Sequence, residues 1–342
     1  MKSLISVHPH FDGVWPFAAD RARELWSKQR EVLFFRRKKD DTRPWGKCFD
    51  PAELKQVGRA LIFDKSFEPS DLTLLPGLKE VGFNHDHSRR EEFTKTFQER
   101  GVAVRAHRGE GFWGQSVSEF ALALTLSALR RIPQTHMEMK SNPAVWEYDP
   151  KDKNGLPGMR GQQFGDDLRF TCGTLGGKKV RVVGLGNIGS RYAQWASQMG
   201  ADVAGWDPVA QDPSFHRSGT RRVEHLEELF HDAEIVVPMM PLVPKTQGLV
   251  TAAMIKSIPK GALVVLVTRA GIVDMPTLRG RVLNGELALA ADVFDIEPVP
   301  FDDPLLKLPH VIHTPHNAGR TRDANFEYAE SLLAQFSEIP KD

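Results

Sequence analysis

The chain has 342 residues, more than one typical hydrophobic core holds, and this length predicts about two domains. Its 45 basic and 44 acidic residues leave a net charge of +1, so no global field favours nucleic acid or an anionic membrane. The two cysteines, Cys48 and Cys172, lack CxxC spacing and neighbouring histidines, which argues against a disulfide framework and against a metal site.

The first third of the chain alternates short apolar runs with helix-like segments. Strands are predicted at 3–8, 31–35, 59–64, 79–83 and 102–106. Helical segments are predicted at 51–57 and 90–101. This alternation predicts a smaller α/β domain.

A long apolar helix is predicted at 116–131. Ser116 and Glu119 stand at its start with capping-box spacing, and apolar residues surround almost the whole helix, as expected between layers. We expect it to bridge the two domains. The following stretch, 141–177, is rich in Pro, Gly and Asp and predicts a long surface excursion.

From Lys178 onward, β-branched runs alternate with helical segments, which is typical of a doubly wound parallel sheet. Strands are predicted at 179–186, 201–207, 234–240, 262–268, 287–294 and 310–314. Crossover helices are predicted at 187–200, 223–230, 251–258 and 275–283.

A glycine-rich turn joins the first of these strands to its helix. Gly184, Gly186 and Gly189 form a GxGxxG pattern, whose helix N-terminus and close backbone approach suit a pyrophosphate. Asp207 ends the next strand, where a carboxylate accepts hydrogen bonds from a ribose diol and repels a 2′-phosphate. NAD is therefore favoured over NADP, although a purely structural turn or an S-adenosylmethionine site also fits the loop alone.

Three polar residues follow later strands, at the edge where open α/β sheets bind ligands. Arg269 is suited to binding a carboxylate through two hydrogen bonds, although taken alone it is better interpreted as a salt bridge at a strand end. Glu297 alone reads as a solvated loop carboxylate, and His316 as a surface histidine. Their joint occurrence beside a cofactor loop favours a catalytic site.

The chain here resembles the D-isomer-specific 2-hydroxyacid dehydrogenases, which carry patterns similar to GLGNIG, R-x-G-x-V-D, DVF-x-x-EP and TPH-x-x-G. All four patterns occur in order between Gly184 and Gly319. The resemblance implies that Arg269 binds the substrate carboxylate, that His316 is the acid or base, and that Glu297 orients His316. A histidine beside a carboxylate suits proton transfer near neutral pH. Formate dehydrogenases look similar but carry glutamine at the position of Glu297.

The resemblance also implies a fold and further site residues. It predicts a Rossmann NAD-binding domain over 114–317 and a smaller, flavodoxin-like substrate-binding domain over 1–113, completed by 318–342. Besides the glycines and Asp207, the implied cofactor contacts are Asn187, Ile188, Pro241, Thr246, Thr268, Asp292 and Gly319. The implied substrate contacts besides Arg269 and His316 are Gly82, Phe83 and Asn84. Asp292 would touch the nicotinamide carboxamide, or alternatively cap local amides, and Gly319 would let the backbone approach the ring.

Four positions depart from the family pattern and indicate a remodelled pocket, namely Asn84, Trp113, Leu266 and Ala270. Basic and imidazole groups also crowd the predicted strand ends of the first domain. They are His8, His10, His85, His87, Arg89, Arg90, Arg105, His107 and Arg108. If they lined a cleft they would favour a substrate with a second anionic group, and otherwise they form a solvated rim.

The sequence therefore predicts an NAD(H)-dependent oxidoreductase acting on a 2-hydroxy or 2-oxo acid, similar to glyoxylate/hydroxypyruvate reductases or phosphoglycerate dehydrogenase. The alternatives are a non-enzymatic, NAD(H)-sensing protein of the corepressor type and a methyltransferase. We expect a homodimer in the cytoplasm with no metal, nucleic-acid or membrane partner, since every apolar run is strand-sized and no export signal precedes the first strand.

Overall fold

The structure is a computed structural model that describes residues 1–84, 87–107, 111–146, 156–158, 161 and 163–337. The chain divides into two compact units. Unit 1 comprises Met1–Phe112 with Arg320–Asp342, and unit 2 comprises Trp113–Gly319. The boundaries predicted from the sequence, after residue 113 and after residue 317, lie within two residues of these.

Unit 1 contains a five-stranded parallel sheet in the order β2-β1-β3-β4-β5. Its strands are β1 (Lys2–Val7), β2 (Val32–Arg36), β3 (Val57–Phe63), β4 (Glu80–Phe83) and β5 (Ala103–Arg105). This is the strand order of the flavodoxin-like doubly wound fold, and it places a topological switch point between β1 and β3.

Unit 2 contains a seven-stranded parallel sheet in the order β12-β11-β10-β9-β6-β7-β8. Its strands are β6 (Lys179–Val183), β7 (Asp202–Trp206), β8 (Arg221–Arg222), β9 (Ile235–Pro238), β10 (Leu263–Leu266), β11 (Ala288–Ala291) and β12 (Val311–His313). From β8 to β11 this is the Rossmann order, extended by β12, and the chain reverses direction across the sheet between β6 and β9. The predicted α/β class with two parallel sheets is confirmed.

Eleven α-helices lie within the described residues. They are α1 (Pro9–Val14), α2 (Ala18–Ser27), α3 (Pro51–Leu54), α4 (His87–Glu99), α5 (Gly111–Arg130), α6 (Ile132–Ser141), α7 (Asn187–Gln198), α8 (Asp212–Arg217), α9 (Ala252–Ser257), α10 (Met275–Leu283) and α11 (Arg322–Leu333). No helix in the described ranges is long and apolar enough to cross a membrane.

The C-terminal segment completes unit 1. Asn325 on α11 accepts a hydrogen bond from the Phe17 amide at 3.1 Å, and Glu330 accepts one from Arg21 Nε on α2 at 2.8 Å. After α11, the Ser337 amide donates to the carboxylate of Glu80 on β4 at 3.1 Å. Helix α11 is therefore part of unit 1.

Hydrophobic layers cover both faces of the unit 2 sheet. Val182 and Val265 belong to the layer that includes α5 and α7, and Val236 and Val264 belong to the layer that includes α9 and α10. All four side chains are fully buried. Strands that are covered on both faces consist of continuous apolar runs. For this reason the apolar runs in the sequence predicted these strands close to their observed positions.

Some elements differ from the sequence-based prediction. The segment 223–230 forms one 3₁₀ turn, Leu226–Leu229, rather than a crossover helix, because burying Leu226, Leu229 and Phe230 needs only one turn. Helix α2 was not predicted, although its buried Ala18, Ala22 and Trp26 have i, i+4 spacing. In the predicted excursion, 147–155, 159–160 and 162 lie outside the described residues.

A buried arginine lies on β6, an interior strand of the unit 2 sheet. Arg181 on β6 is 1% exposed, and its Nε and Nη2 donate to both oxygens of Asp232 at 2.9 and 2.8 Å. Nη2 also contacts Asp202 at 3.1 Å. These hydrogen bonds from Arg181 lower the pKa of Asp232 to about 2.

We predict that Asp232→Asn lowers the free energy of unfolding by about 1–2 kcal/mol near neutral pH. The value is below that of a fully buried pair because the Asp232 side chain is 44% exposed. Since the folded pKa lies below the ordinary 3.8, this stabilisation is present above pH 3.8 and is lost as the pH falls through about 2. Urea unfolding of wild type and variant measures the difference.

The control is Asp302→Asn, which removes an exposed carboxylate that has no ion pair in the described part of the chain. We expect little change from it. Equal losses in the two variants, or an Asp232→Asn effect that stays constant down to pH about 2, would contradict the assignment.

Candidate active site

The glycine-rich turn follows β6, and each glycine meets a different steric requirement. Gly184 has φ +100°, and a Cβ there would lie 2.6 Å from Met240 Sδ. A Cβ on Gly189 would lie 1.9 Å from the carbonyl oxygen of Gly184. Gly186 is different, because no atom lies within 4 Å of its Cβ position. The turn therefore leaves open space at Gly186, beside the N-terminus of α7.

Asp207 lies just beyond β7 and is tied to this turn. Its Oδ2 accepts from the Leu185 amide at 2.7 Å, and its Oδ1 accepts from the Val209 and Ala210 amides at 2.8 Å. The residue is 9% exposed. A carboxylate has about four lone-pair sites, so these three bonds leave about one for a ligand hydroxyl. The predicted contact with a ribose diol stays a prediction.

The other predicted cofactor residues next to α7 lie in unit 2. Asn187 is exposed and its side-chain oxygen accepts from Arg191 on the next turn of the helix. The Ile188 carbonyl accepts from Ser118 Oγ of α5 at 2.9 Å. Asn187 alone of these two presents its side chain to solvent.

The loop after β9 has Pro241 at the surface and Thr246 inside, and Thr268, two residues beyond β10, packs against the start of this loop. Thr246 Oγ1 accepts from the Val243 amide at 2.9 Å and also donates to the Pro241 carbonyl. Thr268 Oγ1 donates to the Pro238 carbonyl at 3.2 Å. Both threonines are buried, so their side chains shape this loop.

The predicted catalytic pair meets within hydrogen-bond distance. His316 Nδ1 lies 2.7 Å from Glu297 Oε2, and the side chains are 38% and 34% exposed. The Phe294 amide donates to the other oxygen, Oε1, at 2.8 Å. Sequence reasoning missed the contribution of Phe294. The carboxylate is thus fixed at both oxygens and holds the imidazole through Nδ1.

Arg269 lies three residues beyond the end of β10, at the same carboxyl edge of the sheet. Its side chain is exposed, and its Nη1 donates to the Thr268 carbonyl at 2.7 Å. No carboxylate of the described residues forms an ion pair with it. The salt-bridge alternative is therefore not what the structure shows, and the guanidinium keeps most of its donors for a ligand.

Asp292 and Gly319 have structural roles that differ from the predicted cofactor contacts. Asp292 is fully buried, and its carboxylate accepts three hydrogen bonds from the segment that carries His316. This matches the alternative in which it caps local groups. A Cβ on Gly319 would lie 2.9 Å from the Trp113 ring, so packing against that indole already requires glycine. Direct contact of either residue with a nicotinamide stays a prediction.

The predicted substrate contacts Gly82, Phe83 and Asn84 belong to unit 1. Gly82 is buried in β4, and Phe83 packs its ring 5.5 Å from that of Phe97. Asn84 is exposed at the carboxyl end of β4, and its amide donates to the Ile62 carbonyl at 3.2 Å. Of the three, Asn84 offers an exposed polar side chain at the sheet edge.

Three of the basic and imidazole groups of the first domain are paired or buried. Arg89 pairs with Glu68 at 2.7 Å, and Arg105 pairs with Glu80. His107 packs between aromatic rings, and burial lowers its pKa to about 4, so it is neutral at physiological pH. Local carboxylates and burial therefore neutralise these three groups.

The other basic and imidazole groups of the first domain add little to a second anion site or lie outside the described residues. His8 caps α1 by accepting from the His10 amide at 3.0 Å, and burial lowers its pKa. Arg90 is exposed. His85, Arg108 and the side chain of His87 lie outside the described residues. The residues that the structure describes give little support to a second anion site.

The residues around the glycine turn fit a dinucleotide. Open space at Gly186 lies next to the N-terminus of a twelve-residue helix, which favours a pyrophosphate. Asp207 supplies a carboxylate at the end of the neighbouring strand. No cluster of three or more potential metal ligands occurs in the described ranges. Gly186, Asn187, Ile188 and Asp207 would hold the cofactor.

We predict that Gly186→Ala leaves the unfolding temperature unchanged but weakens NADH binding about tenfold or more, because its methyl group enters the open space. Gly189→Ala should instead destabilise unit 2, since its Cβ collides with the Gly184 carbonyl. NADH fluorescence titration and thermal unfolding separate the two effects. Gly280→Ala, in open space on α10, is the control. Unchanged NADH affinity in Gly186→Ala would exclude this site.

Comparison with known protein families gives one match over more than half of the chain. The NAD-binding domain of the D-isomer specific 2-hydroxyacid dehydrogenases matches residues 122–318. This range contains the glycine turn, Arg269, Glu297 and His316. The match assigns an NAD-binding domain to unit 2.

Curated relatives include D-3-phosphoglycerate dehydrogenases. That of Methanocaldococcus jannaschii is 32% identical over 221 residues, which are 64% of this chain and 38% of the relative. That of Bacillus subtilis is 33% identical over 227 residues, 66% of this chain and 39% of the relative. The similarity thus spans about two fifths of the length of these relatives.

Solved structures match over nearly the whole chain. A Thermus thermophilus protein is 25% identical with a TM-score of 0.63, covering 98% of this chain and 96% of the other. An NAD-complexed D-isomer specific 2-hydroxyacid dehydrogenase from Lactobacillus delbrueckii is 18% identical with a TM-score of 0.67, covering 98% and 95%, and shows the shared fold. The family match, the ordered motifs and the fold agree, and the chain belongs to the D-isomer-specific 2-hydroxyacid dehydrogenase family.

Proposed function

We propose that this protein is an NAD-dependent oxidoreductase that transfers a hydride between NAD(H) and C2 of a 2-hydroxy or 2-oxo acid. The observation that supports this most directly is the 2.7 Å contact between His316 Nδ1 and Glu297 Oε2. A carboxylate-oriented imidazole at the carboxyl edge of an NAD-binding sheet is suited to exchanging a proton with a substrate oxygen.

The contact of Nδ1 with Glu297 supports Nε2 as the nitrogen of His316 that exchanges the proton. Glu297 accepts a hydrogen bond from Nδ1–H, and the Phe294 amide keeps the carboxylate in place. Within the described ranges no protein group bonds to Nε2, which is therefore the nitrogen that faces substrate. Bound NADH supplies the hydride. His316 Nε2–H then gives its proton to the carbonyl oxygen as that oxygen gains charge.

Arg269 binds the acid in this proposal. Its exposed guanidinium has no carboxylate partner among the described residues, and the Thr268 carbonyl orients it through Nη1. A planar guanidinium forms two parallel hydrogen bonds with a carboxylate, which fixes the orientation of the neighbouring carbonyl. The remaining positive charge polarises that carbonyl towards hydride attack.

Asp207 supports a preference for NAD over NADP. Three amides fix its carboxylate at the end of β7, so a 2′-phosphate there would meet a negative charge that cannot move away. The nearby Arg222 is paired with Asp212 at 2.8 Å and is less available to a phosphate. We expect NADPH to support much slower turnover than NADH.

Two kinds of 2-oxo acid are considered as substrates, phosphorylated acids and smaller acids with one charge. The relatives named D-3-phosphoglycerate dehydrogenase support a phosphorylated acid, but their similarity covers 64–66% of this chain. The paired state of Arg89 and Arg105 supports a smaller acid with one charge, such as glyoxylate or hydroxypyruvate. Glu297 also argues against formate, whose oxidation requires no proton acceptor. We therefore propose hydroxypyruvate-like acids first and phosphohydroxypyruvate second.

We predict that His316→Ala lowers kcat by a factor of about 10²–10⁴ in a panel of glyoxylate, hydroxypyruvate, phosphohydroxypyruvate and sugar-derived oxo acids. NADH affinity should be retained, because the imidazole acts on the substrate. The assay is the loss of NADH absorbance. His313→Ala, three residues earlier and exposed at the end of β12, is the matched control and should keep its turnover.

Two outcomes would overturn the proposed function. Full turnover in His316→Ala would remove the proton donor from the mechanism. Tight NADH binding with negligible turnover across the whole panel would favour the non-enzymatic corepressor-type alternative. A methyltransferase would bind S-adenosylmethionine and ignore NADH.

We also propose that the chain forms a homodimer in the cytoplasm. Helix α6 has no buried residue, and it exposes Ile132, Met137 and Met139 by 52, 59 and 47%. Trp146, five residues after the helix, is 67% exposed. Such a concentration of apolar side chains supports a contact with another protein surface, and a second copy is the partner that the proposal requires.

Replacing Met137 and Met139 together by glutamate should convert the homodimer to a monomer. Charges in an apolar interface are costly, so the change in mass should be visible by light scattering. Val209→Glu, at an apolar side chain in unit 2 that is 77% exposed, is the control and should remain dimeric. A monomeric wild type would contradict the proposed assembly.

A further inference from the structure

The loop that carries His316 has an unfavourable backbone conformation. His316 has φ +53°, in the left-handed region that non-glycine residues rarely occupy. Its amide donates to the Thr314 carbonyl at 3.0 Å, which closes a tight turn over Pro315. Surrounding contacts must hold a residue in such a conformation.

Asp292 supplies these contacts on both sides of His316. Its Oδ1 accepts from Thr314 Oγ1 at 2.6 Å and from the Asn317 amide at 3.0 Å. Its Oδ2 accepts from the Ala318 amide at 2.9 Å. The three donors stand two residues before, one after and two after the histidine. One carboxylate therefore closes the loop around His316.

Asp292 is also anchored to the sheet. It directly follows β11, and its own amide donates to the Leu266 carbonyl at the end of β10 at 2.9 Å. The residue is fully buried, and no cationic side chain in the described part of the chain forms an ion pair with it. Burying an uncompensated carboxylate is costly, which points to a role that a neutral side chain cannot fill.

We propose that Asp292 and Thr314 are positioning residues that hold His316 in register with Glu297 and with the substrate. We call the hydrogen bonds from Thr314, Asn317 and Ala318 to Asp292 the clamp. Its catalytic consequence rests on the proposed function, whereas the clamp itself is present in the free protein. Thr314 is the side-chain donor of the clamp, and the Thr314 hydroxyl links the two ends of the loop through Asp292. The clamp keeps His316 Nδ1 aimed at Glu297 and therefore Nε2 aimed outward.

The test compares Thr314→Val with Thr314→Ser in the full-length protein. Valine keeps the shape of threonine but removes the hydroxyl that donates to Asp292, whereas serine retains it. Asp292→Asn is less informative, because its amide would place a second donor against Thr314, Asn317 or Ala318 and endanger folding. Thr251→Val, which removes the side-chain cap of α9 at 3.4 Å from the Met254 amide, controls for general destabilisation.

Two readouts are needed. The first is the proton resonance of His316 Nδ1 in the cofactor-free protein, assigned by its absence in His316→Gln. We expect this resonance in wild type, Thr314→Ser and Thr251→Val, and its loss or broadening in Thr314→Val. The second is steady-state kinetics, in which Thr314→Val should lower kcat about ten- to a hundredfold with unchanged NADH affinity. Thr314→Ser should restore most of the lost rate.

The outcomes distinguish the clamp from a direct cofactor role of Asp292 and from failure of the proposed function. A wild-type Nδ1 resonance together with wild-type kcat in Thr314→Val overturns the proposal. Weaker NADH binding with an unchanged resonance overturns it too, in favour of a direct cofactor role for Asp292. Absence of turnover in the wild type on every 2-oxo acid refutes the proposed function alone, because the resonance of the free protein still decides whether the clamp exists.

Discussion

Parallel pairing of β10, β11 and β12 is the constraint on which the site depends. Parallel strands end at one edge of their sheet, so residues far apart in the chain emerge together. Arg269 follows β10, Asp292 follows β11 and His316 follows β12. Glu297 lies five residues beyond Asp292, close enough to reach the histidine. The chemistry of the site is thus a consequence of strand direction and strand order.

Sequence reasoning succeeded where the physics is local. Continuous apolar runs identify buried parallel strands, and the glycine spacing reflects steric limits at Gly184 and Gly189 and open space at Gly186. The pairing of His316 with Glu297 was predictable because both follow strands that must end at one edge. The resemblance assigned the segment after 317 to the smaller domain, and the side-chain contacts of Asn325 and Glu330 show how α11 joins unit 1.

Sequence reasoning failed where the outcome depends on partners distant in the chain. The sequence placed Arg105 among basic groups of a cleft or a solvated rim, and it could not show the partner Glu80, which stands 25 positions away on the adjacent strand. His107 belonged to the same set, but burial beside two aromatic rings lowers its pKa to about 4 and keeps it neutral. For Asp292 the sequence left a cofactor contact and the capping of local amides both open, because the pattern shows its position and not its three donors. A sequence shows which charged side chains a chain contains. The fold decides whether those side chains are available to a ligand.

In the proposed reaction, NADH bound at the carboxyl edge of the unit 2 sheet gives a hydride to C2 of a 2-oxo acid. The most direct test supplies the protein with NADH deuterated at nicotinamide C4, separately in each of its two stereochemical positions, together with the 2-oxo acids. Mass spectrometry then locates the label. The account predicts deuterium at C2 of the 2-hydroxy acid product from one of the two labelled cofactors. Product without label from either cofactor, or no product while NADH is bound, would contradict it.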